Sequence, residues 1–259
     1  FHFIPDEPVL AFMPFKLNPE NYVEVRSLKN ISADLKLTGP ENAALWMHSS
    51  EDSTELAVEI NQLDLQQLSR FAAIPDMQGR VNVALRYVPS DVSYLIAADA
   101  NIDNLIFRGQ PVGELLLNGV YLPLDNNRHR FDAHFYHNES ELATVSAFYR
   151  QPQQKQAQGM IDGTMQFDRI PLNELNPFFG GAVDMQGVLR GRLTLESRDR
   201  GPIWNGYLQL DSTSMYVRAV GTRFRFDDQE VDIKDSKLRL TKYGIYTTGG
   251  NPFTISGTV

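Results

Sequence analysis

The feature that most constrains this chain is a polar and apolar alternation of period two, sustained over most of its length. In "VLRGRLTLES" the residues Leu189, Leu193 and Leu195 fall on one side, with Arg190, Arg192 and Thr194 on the other. "RVNVALRY" sets Val81, Val83, Leu85 and Tyr87 against Arg80, Asn82, Ala84 and Arg86, and "TRFRFDD" sets Phe224 and Phe226 against Arg223 and Arg225. Successive side chains of a strand point to opposite faces, so the pattern specifies strands with one apolar and one polar face. The same reading covers "ISADLKLTG", "TELAVEINQLDL", "VSYLIAADANI", "ELLLNGVYL", "HRFDAHFYH", "LATVSAFYR", "GMIDGTMQFDRI", "IWNGYLQLDS", "EVDIKDSKLRL" and "FTISGTV", giving roughly 14 to 18 strands.

Helical signals are few. "DLQQLSRFA" places Leu65 and Leu68 with Phe71 or Ala72, and "PLNELNPFF" places Leu172 and Leu175 with Phe179, at spacings of three or four that fit one or two turns. The long periodic helices that parallel strands need as crossovers are missing, so the sheet is expected to be antiparallel and meandering.

The tetrapeptide Asp-Met-Gln-Gly occurs twice, at Asp76–Gly79 and Asp184–Gly187. Aligning the copies sets Val81, Leu85 and Tyr87 on Leu189, Leu193 and Leu195 at an offset of 108, with the alternation in phase. An offset of 107 upstream sets Leu63, Leu65 and Leu68 on Ile170, Leu172 and Leu175; an offset of 110 downstream sets Tyr94, Ala98 and Ala100 on Trp204, Leu208 and Leu210. The expected unit is strand, short helix, tight D-x-x-G turn, hairpin and further strands, repeated at about 108 residues. The expected divisions are 1–54, strands continuing from a preceding part of the parent protein, 55–158, a first β repeat, and 159–259, a second. A start at Phe1 with neither an initiator Met nor a signal-peptide pattern leads us to read the chain as a segment of a longer protein.

Composition removes several functions. Lys plus Arg is 24 against 32 Asp plus Glu, a net charge of −8, which repels a phosphate backbone and argues against nucleic acid. The absence of cysteine rules out disulfides, thiolate metal sites and a Cys nucleophile, and is compatible with a periplasmic or extracellular bacterial protein. Apolar stretches such as "VLAFMPF" fall short of the ~20 residues of a membrane span. His129, His134 and His137 invite a metal reading, but His134 and His137 are three apart on a strand and point to opposite faces; they read as solvated edge histidines. The acidic run with Asp227, Asp228, Glu230, Asp232 and Asp235 lacks the spacing of a calcium loop. No phosphate-binding loop, nucleophile elbow or zinc-protease motif is present, so neither cofactor, catalytic residue nor metal is assigned. Abundant acids and the His cluster leave only a weak case for a carbohydrate-active enzyme.

With few helices to cover it, a long apolar sheet face must close on itself, meet a second sheet or hold an apolar ligand. A β-sandwich reads identically in sequence, and would be a surface module binding glycan or protein through aromatics such as Trp46, Trp204 or Tyr207.

The glycine-punctuated hairpin Gly187-Val188-Leu189-Arg190-Gly191-Arg192-Leu193 is followed by "N-G-x-L-x-L" at Asn205–Leu210, "G-T-x-F-x-F-x-D" at Gly221–Asp228 and a closing "G-G-N-x-x-x-x-x-G-x-V" at Gly249–Val259. In this order the motifs resemble the C-terminal part of the TamB family, the inner-membrane-anchored subunit of the translocation and assembly module, in a Bacteroidetes-type layout. That family belongs to the AsmA-like group of bridge-like lipid-transfer proteins. The resemblance is best over residues 160–259 and weaker over 55–150. It implies a mostly β fold, a long curved antiparallel sheet that is U-shaped and β-taco-like, with an apolar concave side. It also implies a non-enzymatic periplasmic segment of an inner-membrane-anchored envelope protein, serving phospholipid transport between inner and outer membranes or outer-membrane protein assembly. The implied partners are phospholipid acyl chains or outer-membrane β-strands, and an Omp85-type outer-membrane protein through parts of the parent not in this chain. The expected groove residues are Val81, Val83, Leu85, Tyr94, Ile96, Leu189, Leu193, Leu195, Leu208, Leu210, Phe224 and Phe226.

Overall fold

A computed structural model describes residues 1–4, 7–50, 54–72, 76–91, 93–152, 159–198, 201–247, 250 and 252–259. Gly249 and Asn251 of the closing glycine motif lie outside the described residues. The chain is mostly β and antiparallel, with short helices between strands, as the alternation requires. It forms two compact units, Phe1–Ala133 with His137–Glu139, and His134–Tyr136 with Ser140–Val259.

The first unit contains β1 (Val9–Leu10), β2 (Met13–Pro14), β3 (Lys16–Leu17), β4 (Tyr22–Ser27), β5 (Asn30–Thr38), β6 (Ala44–Ser49), β7 (Leu56–Asp64), α1 (Leu65–Ala72), β8 (Met77–Pro89), β9 (Tyr94–Phe107) and β10 (Gln110–Leu124). β3 and β4 both pair with β5, and β5 to β10 then pair in sequence order. β11 (Arg128–His137) contributes residues to both units. The second unit contains β12 (Ser140–Arg150), β13 (Met160–Pro171), a 3-10 segment (Leu172–Phe179), β14 (Val183–Glu196), β15 (Ile203–Val217), β16 (Thr222–Phe226), β17 (Glu230–Lys234), β18 (Lys237–Thr247) and β19 (Phe253–Thr258). β16 and β17 lie end to end between β15 and β18, so the circuit of pairings among these four is one interrupted strand rather than a barrel. Tight turns follow from backbone chemistry: Arg108-Gly109 and Asp235-Ser236 both have positive φ at two successive residues, the geometry that matches strand twist.

The pairing register repeats. On β8, Val81 pairs with Leu63 and Ile102, Val83 with Ile60 and Ala100, and Leu85 with Val58 and Ala98. On β14, Leu189 pairs with Ile170 and Leu210, Gly191 with Phe167 and Leu208, and Leu193 with Met165 and Gly206. Raising the β8 and β9 numbers by 108, and the β7 numbers by 107, converts one set into the other. The downstream offset of 110 expected from sequence is therefore corrected to 108, which holds as far as Phe107 opposite Met77 and Met215 opposite Met185. A slip of two residues preserves the face of every side chain, so alternation alone could not detect it.

The two DMQG copies are not turns. Met77 and Val183 already begin β8 and β14, and each glycine sits at a bulge where the register shifts, between Gln78 and Arg80 and between Gln186 and Val188. Gly79 has φ 144° and Gly187 φ 105°. A Cβ on Gly79 would stand 2.8 Å from the Asp103 carbonyl oxygen, and one on Gly187 2.6 Å from Thr213 Cα. Opposite them, Asn104 and Ser212 adopt positive φ at equivalent positions. Each bulge adds a residue and bends its strand, so both strand pairs bend at the same level.

The buried apolar clusters of the first unit lie near that level. In the first unit Phe15, fully buried, joins Met13, Ala43 and Leu63, and Leu65 of α1 joins Leu105 and Val112. Leu68 and Val81 pack against both clusters. Leu65 and Leu68 thus supply the buried stripe of α1, whereas Phe71 is exposed and meets Phe12 edge to face. In the second unit the residues after β13 form the 3-10 segment instead of an α-helix; Pro177 within it has no N–H to donate, and Leu172 is its buried residue.

Candidate apolar binding face

Cross-strand partners share a face, so the register assigns the faces without ambiguity. In the first unit Leu45 and Met47 of β6 pair with Ile60 and Val58 of β7, which pair with Val83 and Leu85 of β8. These in turn pair with Ala100 and Ala98 of β9, and Leu117 and Gly119 of β10 complete the rows. The reverse face carries Lys36, Trp46, Glu59, Asn82, Asp99, Asn101 and Asn118. There Asn82 and Asn101 donate to the two oxygens of Asp103, and Asn118 donates to Asp99. These bonds satisfy the polar side and leave the other side purely apolar.

The second unit repeats the arrangement. Val145 of β12 and Met165 of β13 line up with Leu193, and Leu189 and Leu195 of β14 lie on the same side as Trp204, Leu208 and Leu210 of β15. Val231 and Ile233 of β17 extend the rows opposite Leu208 and Gly206. Arg190 lies on the reverse face, paired to Asp211 at 3.0 Å.

The register therefore brings together Val81, Val83, Leu85, Tyr94 and Ile96 on one face of the first unit, and Leu189, Leu193, Leu195, Leu208 and Leu210 on one face of the second. Phe224 and Phe226 share one side of β16, beyond the bulge, with Phe224 opposite Met215 and Thr247. Val58, Ile60, Leu117, Met165 and Val231 belong to the same rows and were absent from the expected groove residues. Their alternation was readable, but the choice among faces requires register. Trp204 and Tyr207 pair with Leu195 and Arg192 and so point to opposite faces of β15.

Exposure distinguishes these faces from a sandwich interior. Of the twelve expected residues none is buried: eleven are half-buried and Leu85 is 36% exposed. A second sheet packed about 10 Å away would seal such positions in the middle of a strand. A cleft of about 500 Å³ in the second unit lies elsewhere, at the interruption between β16 and β17, lined by Ser212, Arg225, Asp227, Asp228 and Tyr246. It is polar, whereas the apolar faces are broad and open.

The histidines each have a separate partner. His137 is buried with Nε2 2.6 Å from the Val112 carbonyl oxygen, correcting the expectation of a solvated edge residue. His134 Nδ1 lies 2.6 Å from Glu141 Oε1, and His129 Nδ1 2.7 Å from the Tyr121 hydroxyl. Among the described residues, no three His, Asp or Glu side chains converge to hold a metal ion. Nor is any described helix long and apolar enough to cross a membrane.

Tyrosines occupy one end of the first unit's apolar face. Tyr87 and Tyr94 are 5.3 Å apart, Tyr94 and Tyr121 6.0 Å, and Tyr121 and Phe131 4.8 Å between ring centroids. The Tyr87 hydroxyl donates to the Leu28 carbonyl. Burial, then the neighbouring Tyr94, pushes the Tyr121 phenol up to about 12, and the same two causes raise Tyr87. No protein-family model, curated protein or solved structure matches the chain.

Proposed function

We propose that this chain is a non-enzymatic segment of a periplasmic, inner-membrane-anchored bacterial envelope protein of the TamB type, whose apolar strand faces hold phospholipid acyl chains in transit between the inner and outer membranes. The observation that carries this reading is the partial exposure of apolar rows running across consecutive strands: α1 and the residues around Phe15 pack over the bulge end of the rows in the first unit, while Val83, Leu85, Leu193 and Leu208 beyond the bulges stay partly exposed. Soluble proteins rarely leave contiguous apolar area of this kind uncovered unless something binds it. Each methylene that such a face takes from water contributes about 0.8 kcal/mol, so even a partly seated acyl chain is stabilised. The rows consist of interchangeable aliphatic residues, and on the reverse face of the first unit Asn82, Asn101 and Asn118 bond to Asp103 and Asp99. No position is singled out as a fixed site, which suits a chain that slides.

The order of glycine motifs in the second unit supports the family reading; Gly191 and Gly206 occupy positions in the apolar rows, where a Cβ on Gly191 would meet the Tyr207 carbonyl oxygen and the Leu208 side chain. Mass spectrometry of lipids extracted from the natively purified chain tests the proposal. Co-purifying phospholipid is expected; a preparation free of lipid that also takes up none from vesicles would sink it.

A further inference from the structure

We propose that the cleft where β16 gives way to β17 is a binding site for a neutral saccharide, separate from the apolar faces and independent of the lipid-carrying reading. The first unit shows why it opens. There Gln110 pairs with Phe107 and Leu117 with Ala100; in the second unit Phe224 pairs with Met215 and Val231 with Leu208, so an offset of 114 converts β10 into β16 and β17. Gly113, at φ 109°, pairs with Leu105 and carries the ladder past the bulge. The same offset puts Asp227 at that position, where a side chain disfavours such a backbone, and no pairing joins it to Thr213. β16 ends at Phe226, β17 begins at Glu230, and the cleft of about 500 Å³ lies at the break.

Hydrogen bonds fix the walls of the cleft. Asp227 Oδ2 accepts from the Gly244 N–H at 2.9 Å and from the Gln229 amide, and the Asp227 carbonyl accepts from the hydroxyl of buried Tyr243. Asp228 Oδ1 accepts from the Ser212 N–H at 2.8 Å, and the Asp228 carbonyl accepts from Gln209. Arg225 and Tyr246 remain to meet a ligand. They pair across β16 and β18 on the face they share with Ser214, and among the described residues neither side chain has a hydrogen bond or an ion pair. The set decides the class of ligand. An anion would meet the carboxylates of Asp227 and Asp228, and a simple cation the guanidinium of Arg225. Adjacent hydroxyls on one neutral ring donate to the carboxylates and accept from the guanidinium, while the hydroxyls of Ser214 and Tyr246 do either. Tyr246 also presents a ring against which the C–H face of a sugar can pack. The volume falls within the roughly 300–1,000 Å³ of small-ligand sites.

Isothermal calorimetry on the whole chain with maltose, cellobiose and chitobiose, alongside inorganic phosphate and glycine, tests the assignment. At least one disaccharide is expected to bind, with phosphate and glycine silent. Arg225→Gln and Tyr246→Ala are each expected to weaken that binding by about tenfold or more. Arg225→Gln is expected to do so with an unchanged urea midpoint, because its side chain bonds to nothing in the fold. Binding of none of the three disaccharides, binding of phosphate or glycine alone, or disaccharide binding that survives both substitutions overturns the site. Lipid uptake is expected to be the same in Arg225→Gln as in the parent chain, and a parallel loss of lipid and sugar would also overturn a separate saccharide cleft.

Discussion

Gly187 carries more structural constraint than any polar residue singled out in the sequence. At φ 105°, with Thr213 Cα close to where its Cβ would be, it lets β14 pass the extra residue that bulges β15, and Gly79 on β8 does the same opposite β9. Gly187→Ala is expected to lower stability by about 2–4 kcal/mol, since the obstruction is backbone and cannot rotate away; the urea midpoint with an unchanged slope checks it. Tyr243 sets a pH limit. It is buried, its hydroxyl donates to the Asp227 carbonyl, and burial followed by Asp227 and Asp228 pushes its phenol from 10 up to about 12. Because the folded state keeps the proton longer, its contribution is complete below pH 10 and is lost as the pH rises from 10 towards 12. Tyr243→Phe is therefore expected to flatten the alkaline loss of stability, read from urea midpoints on either side of pH 10; an unchanged alkaline slope contradicts the assignment.

At the scale of elements, α1 and the 3-10 segment after β13 occupy equivalent places in the two units, each following the strand that precedes a DMQG copy. Leu65→Ala is expected to cost about 2–5 kcal/mol, because Leu105 and Val112 would line the cavity left behind; thermal or urea unfolding followed by circular dichroism measures it. Both short helical segments were legible, since Leu65, Leu68 and Leu172 recur at helical spacing. So were the strands, because alternation is a local property of each one. The bulges were not. Gly79 and Gly187 look like turn residues in sequence, and only the partner strand shows that the chain continues extended through them. For the same reason the two-residue error in aligning β9 with β15 was invisible: Ala98 matches Gly206, and no apolar pattern announces a glycine in a sheet row.

At the scale of the whole molecule, one pairing plan is used twice, and it places an open apolar face in each unit. A chain with few helices and 42% hydrophobic residues could have closed those faces against a second sheet, and the alternation does not tell the two outcomes apart. The partial exposure of Val83, Leu85, Leu193 and Leu208 does. The central claim, that these faces are open acyl-binding surfaces, is tested most directly by placing a photo-crosslinking residue in the chain expressed in a bacterial envelope. Leu85 and Leu193 are the apolar-face positions; their neighbours Arg86 and Arg192 face the other way. Phospholipid adducts at Leu85 and Leu193 with little at Arg86 and Arg192 are predicted; equal labelling of both faces, or no lipid adduct from either apolar position, would contradict the account.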